Sequence, residues 1–464
     1  MFPVETYQKR RSGLRKALSG GLVLFLGNLE SPINYPANVY PFRQDSSFLY
    51  FFGLDRPGLV GLLDLDEGRD FVFGDDCDLE EIVWSGPKTP LAVEAHRAGV
   101  NGVRPFSDLA DFLKDAVEKG RRLRLLPPYR ADHRLTLAGM LSVPPAAVDG
   151  FVSKELIRAV VSLRSIKGEE EIAEIEKAVA IAGEMFQAAV GRAEPGVTER
   201  ELASLIREIA AIRGGGNPFN AIVTTDGQIL HLFPRDVVLG QGRLLLIDAG
   251  AESELHYASD ITRTYPIGGR FTTRQREIYD IVYQANTYAV ETARPGLTYR
   301  EVHLGAAKVI ASGLTDLGLM KGDPEEAVKA GAHALFFPHG LGHLLGLDVH
   351  DMEGLGEDNV GYDDLVSRSD QFGLSYLRFG RSLAPGMVLT VEPGCYFIPP
   401  LIYRWQSEKR FVEFIDYDQV SGYLDFGGIR LEDDILITGE GCRVLSLTIP
   451  KAAAEVEELM TSRS

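Results

Sequence analysis

The chain has 464 residues, 45% of them hydrophobic and 25% charged, an ordinary globular composition with room for two or three domains. Acidic residues outnumber basic ones 66 to 48, so the long-range field repels phosphate backbones and anionic lipid, which excludes nucleic acid and membrane surfaces as partners. The three cysteines, Cys77, Cys395 and Cys442, lack the C-x-x-C spacing of zinc knuckles and redox motifs and fit reduced thiols.

Met1 to Arg15 has no apolar stretch of the kind an export signal needs, and nothing downstream approaches the ~18 apolar residues of a membrane span, so a soluble, cytoplasmic protein is expected. From Met1 to about Ser165, short apolar runs such as Leu22 to Leu26 and Leu59 to Leu63 alternate with turn clusters and helical patterns such as Leu109 to Val117. This reads as an α/β amino-terminal domain over residues 1–165. At Arg164 to Glu171 a basic, Gly-containing turn runs into a long amphipathic helix, with Ile172, Ile175, Val179, Ala182, Phe186 and Val190 on one face. The second domain, 166–464, starts there.

That domain repeats itself. Pro195-Gly196-Val197-Thr198-Glu199-Arg200-Glu201-Leu202 recurs as Pro295-Gly296-Leu297-Thr298-Tyr299-Arg300-Glu301-Val302, each with the Thr-x-x-Glu spacing of a helix capping box. The run from Gly242 to Gly250 matches the run from Gly386 to Gly394 in register, and each delivers one carboxylate, Asp248 or Glu392, from a buried strand into a Gly turn. Two copies are too few for a solenoid, so a pseudo-two-fold α+β domain is expected, with a site between its halves.

Two further carboxylates join these. Asp260 lies in Ala258-Ser259-Asp260-Ile261-Thr262, the return strand of a hairpin, and Glu432 shares one face of its strand with Arg430. Four converging carboxylates repel one another severely unless cations sit among them. Pro338-His339-Gly340-Leu341-Gly342-His343, followed by His350, crowds three of nine histidines into one stretch. Carboxylate oxygens with one imidazole favour Mn²⁺ or a similar ion over structural zinc, and the chemistry such ions support is hydrolysis. Taken singly, each residue has a plainer reading: a strand-end Asp caps a turn, His339 braces its Gly-rich turn, and His231 is a strand histidine facing solvent.

These motifs resemble the pita-bread metallopeptidases, the group of methionine aminopeptidase, aminopeptidase P and prolidase, and the likeness to the proline-specific branch spans nearly the whole chain. The resemblance implies an α+β fold in which Asp248, Asp260, His343, Glu392 and Glu432 hold two divalent ions, Mn²⁺ first, with Co²⁺ or Zn²⁺ as alternatives. It implies His231, His350 and Glu392 as catalytic residues and His339, Arg378 and Arg430 as substrate contacts. It also implies short proline-containing peptides as substrates and a homodimer. The amino-terminal domain resembles that of the same peptidases through Tyr40-Pro41-Phe42-Arg43-Gln44-Asp45-Ser46-Ser47-Phe48 and Trp84-Ser85-Gly86-Pro87. Trp84 reads as an ordinary core tryptophan, with reach into a neighbouring subunit's site as the alternative.

Arg378, in Tyr376-Leu377-Arg378, stands where prolidases carry an arginine for the substrate's terminal carboxylate. An Xaa-Pro dipeptidase is therefore the first expectation and an Xaa-Pro aminopeptidase on longer peptides the second, with a surface ion pair as the plainer role for Arg378. A metal-free creatinase-like hydrolase and a non-enzymatic pita-bread binding module are the remaining alternatives, against which the intact ligand set argues. Two departures from the family pattern stand out. Between Asp248 and Asp260 the hairpin holds one residue more than in most relatives, so a bulge is needed to keep Asp260 facing inward. Val223-Thr224-Thr225-Asp226-Gly227-Gln228 replaces the usual G-S-G-x-N turn before His231.

Overall fold

In the computed structural model, which describes residues 1–462, the chain forms two compact units. One comprises Met1–Arg164 with Gly354–Asn359; the other runs over Ser165–Glu353 and from Val360 onward.

In the first unit the apolar runs become a five-stranded sheet with the order Gly102–Arg104, Arg69–Phe73, Val60–Asp64, Leu22–Leu26, Leu123–Leu125. The three central strands are antiparallel and the two outer pairings parallel. Leu22, Leu24, Val60, Leu62, Phe71 and Phe73 are buried against Leu109, Leu113 and Ala116, the apolar stripe of the Asp108–Glu118 helix. Trp84 is not a core residue: it is 80% exposed, on the Leu79–Ser85 helix, which an Asp78/Glu81 capping box starts and which buries none of its side chains.

The second unit carries the duplication into its hydrogen bonds. Helix Glu169–Arg192 precedes helix Glu199–Arg213, and helix Thr273–Thr292 precedes helix Tyr299–Asp316, with Thr198 and Thr298 capping the second helix of each pair through complete capping boxes. Gly196 N donates to Leu239 O at 3.2 Å and Gly296 N to Leu383 O at 3.0 Å; Glu199 N donates to Val237 O and Tyr299 N to Arg381 O, both at 3.0 Å. On the first of these helices Ile175, Val179, Ala182, Phe186 and Val190 are buried, whereas Ile172 is only partly so. Glu171 takes an inward position instead, accepting from Tyr257 OH at 3.0 Å.

The first half contributes the antiparallel strands Ile222–Thr224, Leu244–Ala249 and Ile261–Pro266. The second half contributes Val388–Val391 paired with Asp433–Ile437, and Gly394–Tyr396 paired with Gly428–Arg430. Thr264 stitches the halves together, its Oγ1 donating to Arg430 O at 3.0 Å, while Glu432 N donates to Thr262 O at 3.0 Å.

The extra residue of the Asp248–Asp260 hairpin is absorbed at its tip, beyond an unbroken stretch of strand pairing. Asp248 faces Thr262, Ala249 faces Ile261 and Glu252 bridges Ala258 in one unbroken register. The surplus goes into the turn, where His256 N donates to Ser253 O at 2.9 Å and Ser253 N to Tyr257 O at 2.9 Å. His256 takes a left-handed conformation there, φ 66°, as the last residue of a three-residue loop does. The expected bulge thus lies at the turn, where left-handed His256 and Tyr257 together oppose Ser253, and Asp260 keeps its inward face.

Candidate metal centre and substrate cavity

The second unit holds a cavity of about 630 Å³, a size suited to a small peptide. Asp248, Asp260, His343, Glu392 and Glu432 all line it, as do His231, His339, His350, Arg378 and Arg430. The strands explain the convergence. Thr262 opposes Asp248 and so points to the same side, and Asp260, two residues before Thr262, does likewise. In the other half Val391 pairs with Asp433 and Gly394 with Arg430, which sets Glu392 and Glu432 level with each other.

Donor atoms of Asp260, His343 and Glu432 lie within 4.8 Å of one another. His343 Nε2 is 3.5 Å from Asp260 Oδ2 and 3.7 Å from Glu392 Oε1. Its Nδ1 is 3.0 Å from Leu344 O, a partner that only accepts, so the proton sits on Nδ1 and Nε2 presents a lone pair to the carboxylates. Burial lowers the pKa of this imidazole and keeps it neutral, against the opposing pull of Glu392. That is the form a ligand needs.

Burial, and then the neighbouring carboxylates, push Asp260 and Glu432 well above the ordinary carboxylate range. Burial also raises Glu392, although His343 and Arg430 work against it. Asp248 Oδ1 and Asp260 Oδ1 are buried with no hydrogen-bond partner among the described residues. Orphaned, mutually repelling hard oxygens beside one neutral imidazole fit divalent cations with oxygen and nitrogen coordination.

Arg430, expected among the substrate contacts, is otherwise engaged. Its guanidinium is buried, donating through Nη2 to Asp248 Oδ2 at 2.5 Å, through Nε to Thr262 Oγ1 at 3.1 Å and through Nη1 to Tyr396 OH at 3.1 Å. Thr262 Oγ1 donates in turn to Glu432 Oε2 at 2.6 Å. Thr262 and Tyr396 were missed in the sequence, although two-residue alternation from Asp260 puts Thr262 on the ligand face. His339 also spends both ring nitrogens inside the protein, Nδ1 at 2.8 Å from Gly340 O and Nε2 at 2.8 Å from Tyr396 OH, so its hydrogen bonds brace the Gly-rich turn while its ring walls the cavity. His231 is not on a strand; it lies in the irregular segment after Thr224. His350 rests its ring 4.2 Å from that of His343. Phe219, Phe233, Phe372, Tyr376 and Ile398 supply an apolar wall that no sequence motif announced.

Comparison with known proteins bears on this site. Residues 173–439, more than half of the chain, match the model of metallopeptidase family M24, and residues 7–125 match the aminopeptidase P amino-terminal domain. The chain belongs to metallopeptidase family M24. Among family relatives, the Xaa-Pro aminopeptidase of Escherichia coli K12 is 31% identical over 99% of this chain and 98% of its own. The human Xaa-Pro dipeptidase is 29% identical over 95% of this chain and 89% of its own. The aminopeptidase PepP of Pseudomonas aeruginosa superposes with a TM-score of 0.83 at 29% identity, covering 100% of this chain and 99% of that one. An aminopeptidase P-type amino-terminal domain followed by the M24 domain is the architecture of this chain.

Proposed function

We propose that this M24 peptidase uses two divalent ions, Mn²⁺ first, held by Asp248, Asp260, His343, Glu392 and Glu432, to hydrolyse the Xaa-Pro bond of short peptides. The observation that carries the reading is the convergence of these five side chains on one cavity, with two of their buried oxygens unpartnered. When bound, such ions polarise a scissile carbonyl and acidify an attacking water. The protein's own residues do the rest. Glu392, held in reach of His343 Nε2, carries a proton to the leaving nitrogen of proline, which has none of its own. His350 and His231 flank the carbonyl and stabilise the charge that develops on its oxygen. Phe219, Phe372 and Tyr376 exclude water around the pyrrolidine ring, and Arg430 orients Asp248.

Arg378 lines the same cavity, and a guanidinium there reads the carboxylate at the end of a dipeptide. This supports an Xaa-Pro dipeptidase. The second reading, an aminopeptidase acting on longer peptides, is favoured by the likeness of the whole chain to aminopeptidases of the Xaa-Pro class. The homodimer belongs to the same proposal, and the exposed Leu79, Val83 and Trp84 offer an apolar contact for it. The test is the purified protein with Mn²⁺ on Gly-Pro, Gly-Pro-Leu and a longer Xaa-Pro peptide. Hydrolysis in front of proline that stops with EDTA or with Asp260→Ala is expected, and the ratio of kcat/KM between lengths separates the two readings. A metal-loaded protein inert toward every Xaa-Pro peptide would overturn the proposal.

A further inference from the structure

Glu353 belongs to no motif and lines no wall of the cavity, yet it touches two residues that do. Its Oε2 lies 2.5 Å from His350 Nδ1, and its Oε1 forms an ion pair with Arg378 Nη1. An ionised carboxylate only accepts hydrogen bonds, so this contact places the His350 proton on Nδ1 and leaves Nε2 as the nitrogen that can face a substrate. The same carboxylate holds the Nη1 edge of the Arg378 guanidinium in an ion pair. His350 and Glu353 are three residues apart, and Arg378 arrives from a distant part of the same unit. One side chain thus touches both the histidine, whose tautomer it sets, and the arginine, which it holds along one edge.

We propose that Glu353 is a positioning residue that couples the histidine beside the scissile bond to the arginine that reads the peptide's carboxyl end. This rests on the Xaa-Pro peptidase reading of the cavity. A substrate carboxylate seated on Arg378 then meets a guanidinium already fixed against Glu353, and the same brace keeps His350 in its productive form. The coupling accounts for how a contact at the far end of a dipeptide is felt at the bond that breaks.

The test is Glu353→Gln in the full chain. A carboxamide accepts through one oxygen only and turns an N–H toward one of its two partners, so the coupling is lost with little change in volume. With Mn²⁺, the variant is expected to raise KM for Gly-Pro roughly tenfold, to leave KM for Gly-Pro amide unchanged, and to lower kcat on both roughly tenfold. Glu353→Asp, which keeps the charge, restores part of the loss. Combining Glu353→Gln with Arg378→Met costs less than the sum of the two single changes. In metal-free protein labelled with ¹⁵N-histidine, the His350 signal, identified by its absence in His350→Gln, reports a protonated Nδ1 that is lost in Glu353→Gln. An unchanged His350 tautomer, or equal effects on Gly-Pro and its amide, overturns the coupling. The spectrum needs no turnover, so a chain that cleaved no Xaa-Pro peptide sinks the peptidase reading separately from the brace.

Discussion

Arg430 illustrates how a residue can sit in a cavity and yet act inward. Its three hydrogen bonds, to Asp248, Thr262 and Tyr396, tie one acidic side chain to the hydroxyl that also donates to Glu432. Burial disfavours the charged guanidinium, but Tyr396, Asp248, Glu392 and Glu432 more than offset this and raise its pKa. The carboxylate tangle is therefore partly neutralised by protein before any ion arrives. Lysine has no fork with which to serve three acceptors. Arg430→Lys is expected to weaken Mn²⁺ affinity by about 10- to 100-fold in a calorimetric titration, and Thr262→Val to act in the same direction. Affinity equal to that of the parent protein in both variants would show that these partners do not orient the acidic set. At this scale the sequence was most legible where one residue type recurs in a spaced motif, as in the acidic residues and His343. Arg430, Glu353 and Tyr396 were opaque because their roles depend on partners far away in the chain.

At the scale of elements, the motif glycines matter for what passes beside them. A Cβ on Gly250 would lie 1.8 Å from Ser259 O, and one on Gly342 would lie 2.1 Å from Thr390 O, both of them backbone atoms that cannot move aside without opening the hairpin or the His343 loop. Gly250→Ala and Gly342→Ala are each expected to cost on the order of 3 kcal/mol or more in urea unfolding. Gly139 gives the opposite sign: it lies in the Ala131–Leu141 helix with open space around its added Cβ, so Gly139→Ala should stabilise by about 0.5–1 kcal/mol. The repeat shows the same economy in its helix starts. Fully buried Glu199 accepts from Thr225 N at 2.8 Å and so holds the segment leading to His231, while its counterpart Tyr299 donates to Thr390 O at 2.5 Å beside the His343 loop. The duplicated capping boxes could be read from spacing alone, because a cap is a local interaction. The roles of Glu199 and Tyr299 could not, since equivalent places in the two halves carry different chemistry.

For the molecule as a whole, fold class, the internal symmetry and the convergence of the acidic set followed from patterns of residues, whereas the cavity's aromatic wall and the exposure of Trp84 did not. Apolar periodicity distinguishes a buried stripe from a solvated one only when the stripe is long, and the Leu79–Ser85 helix is too short for its apolar residues to declare their side. Among the described residues no helix is long and apolar enough to cross a membrane. Two buried histidines outside the cavity weaken the fold toward acid pH. Burial lowers the pKa of His303 well below the usual histidine value and that of His333 to about 4. Unfolding lets both gain protons near pH 6.5, so their contribution to stability is present above that pH and is lost as the pH falls below it, for His333 down to about 4, with a slope of about 1.4 kcal/mol per pH unit for each histidine. Urea midpoints measured from pH 7 to 4 should fall along this window, and His303→Leu combined with His333→Leu should flatten the fall; an identical slope in the double variant would exonerate the pair. Ligand linkage supplies a second global readout: Tm should climb with Mn²⁺ concentration and drop on chelation, because ions that bind only the folded state stabilise it by mass action.

The turn at His256 has a consequence for how this chain tolerates changes of length. Loss of one residue from the loop between Ser253 and Tyr257 converts a three-residue connection into a two-residue one, a switch between two common turn classes that leaves every cross-strand partner where it was. The same loss between Ala249 and Ala251 would rotate the following strand by one step and turn Asp260 away from the other acidic groups. Insertions and deletions in this hairpin are thus admissible at its tip and ruinous at its base.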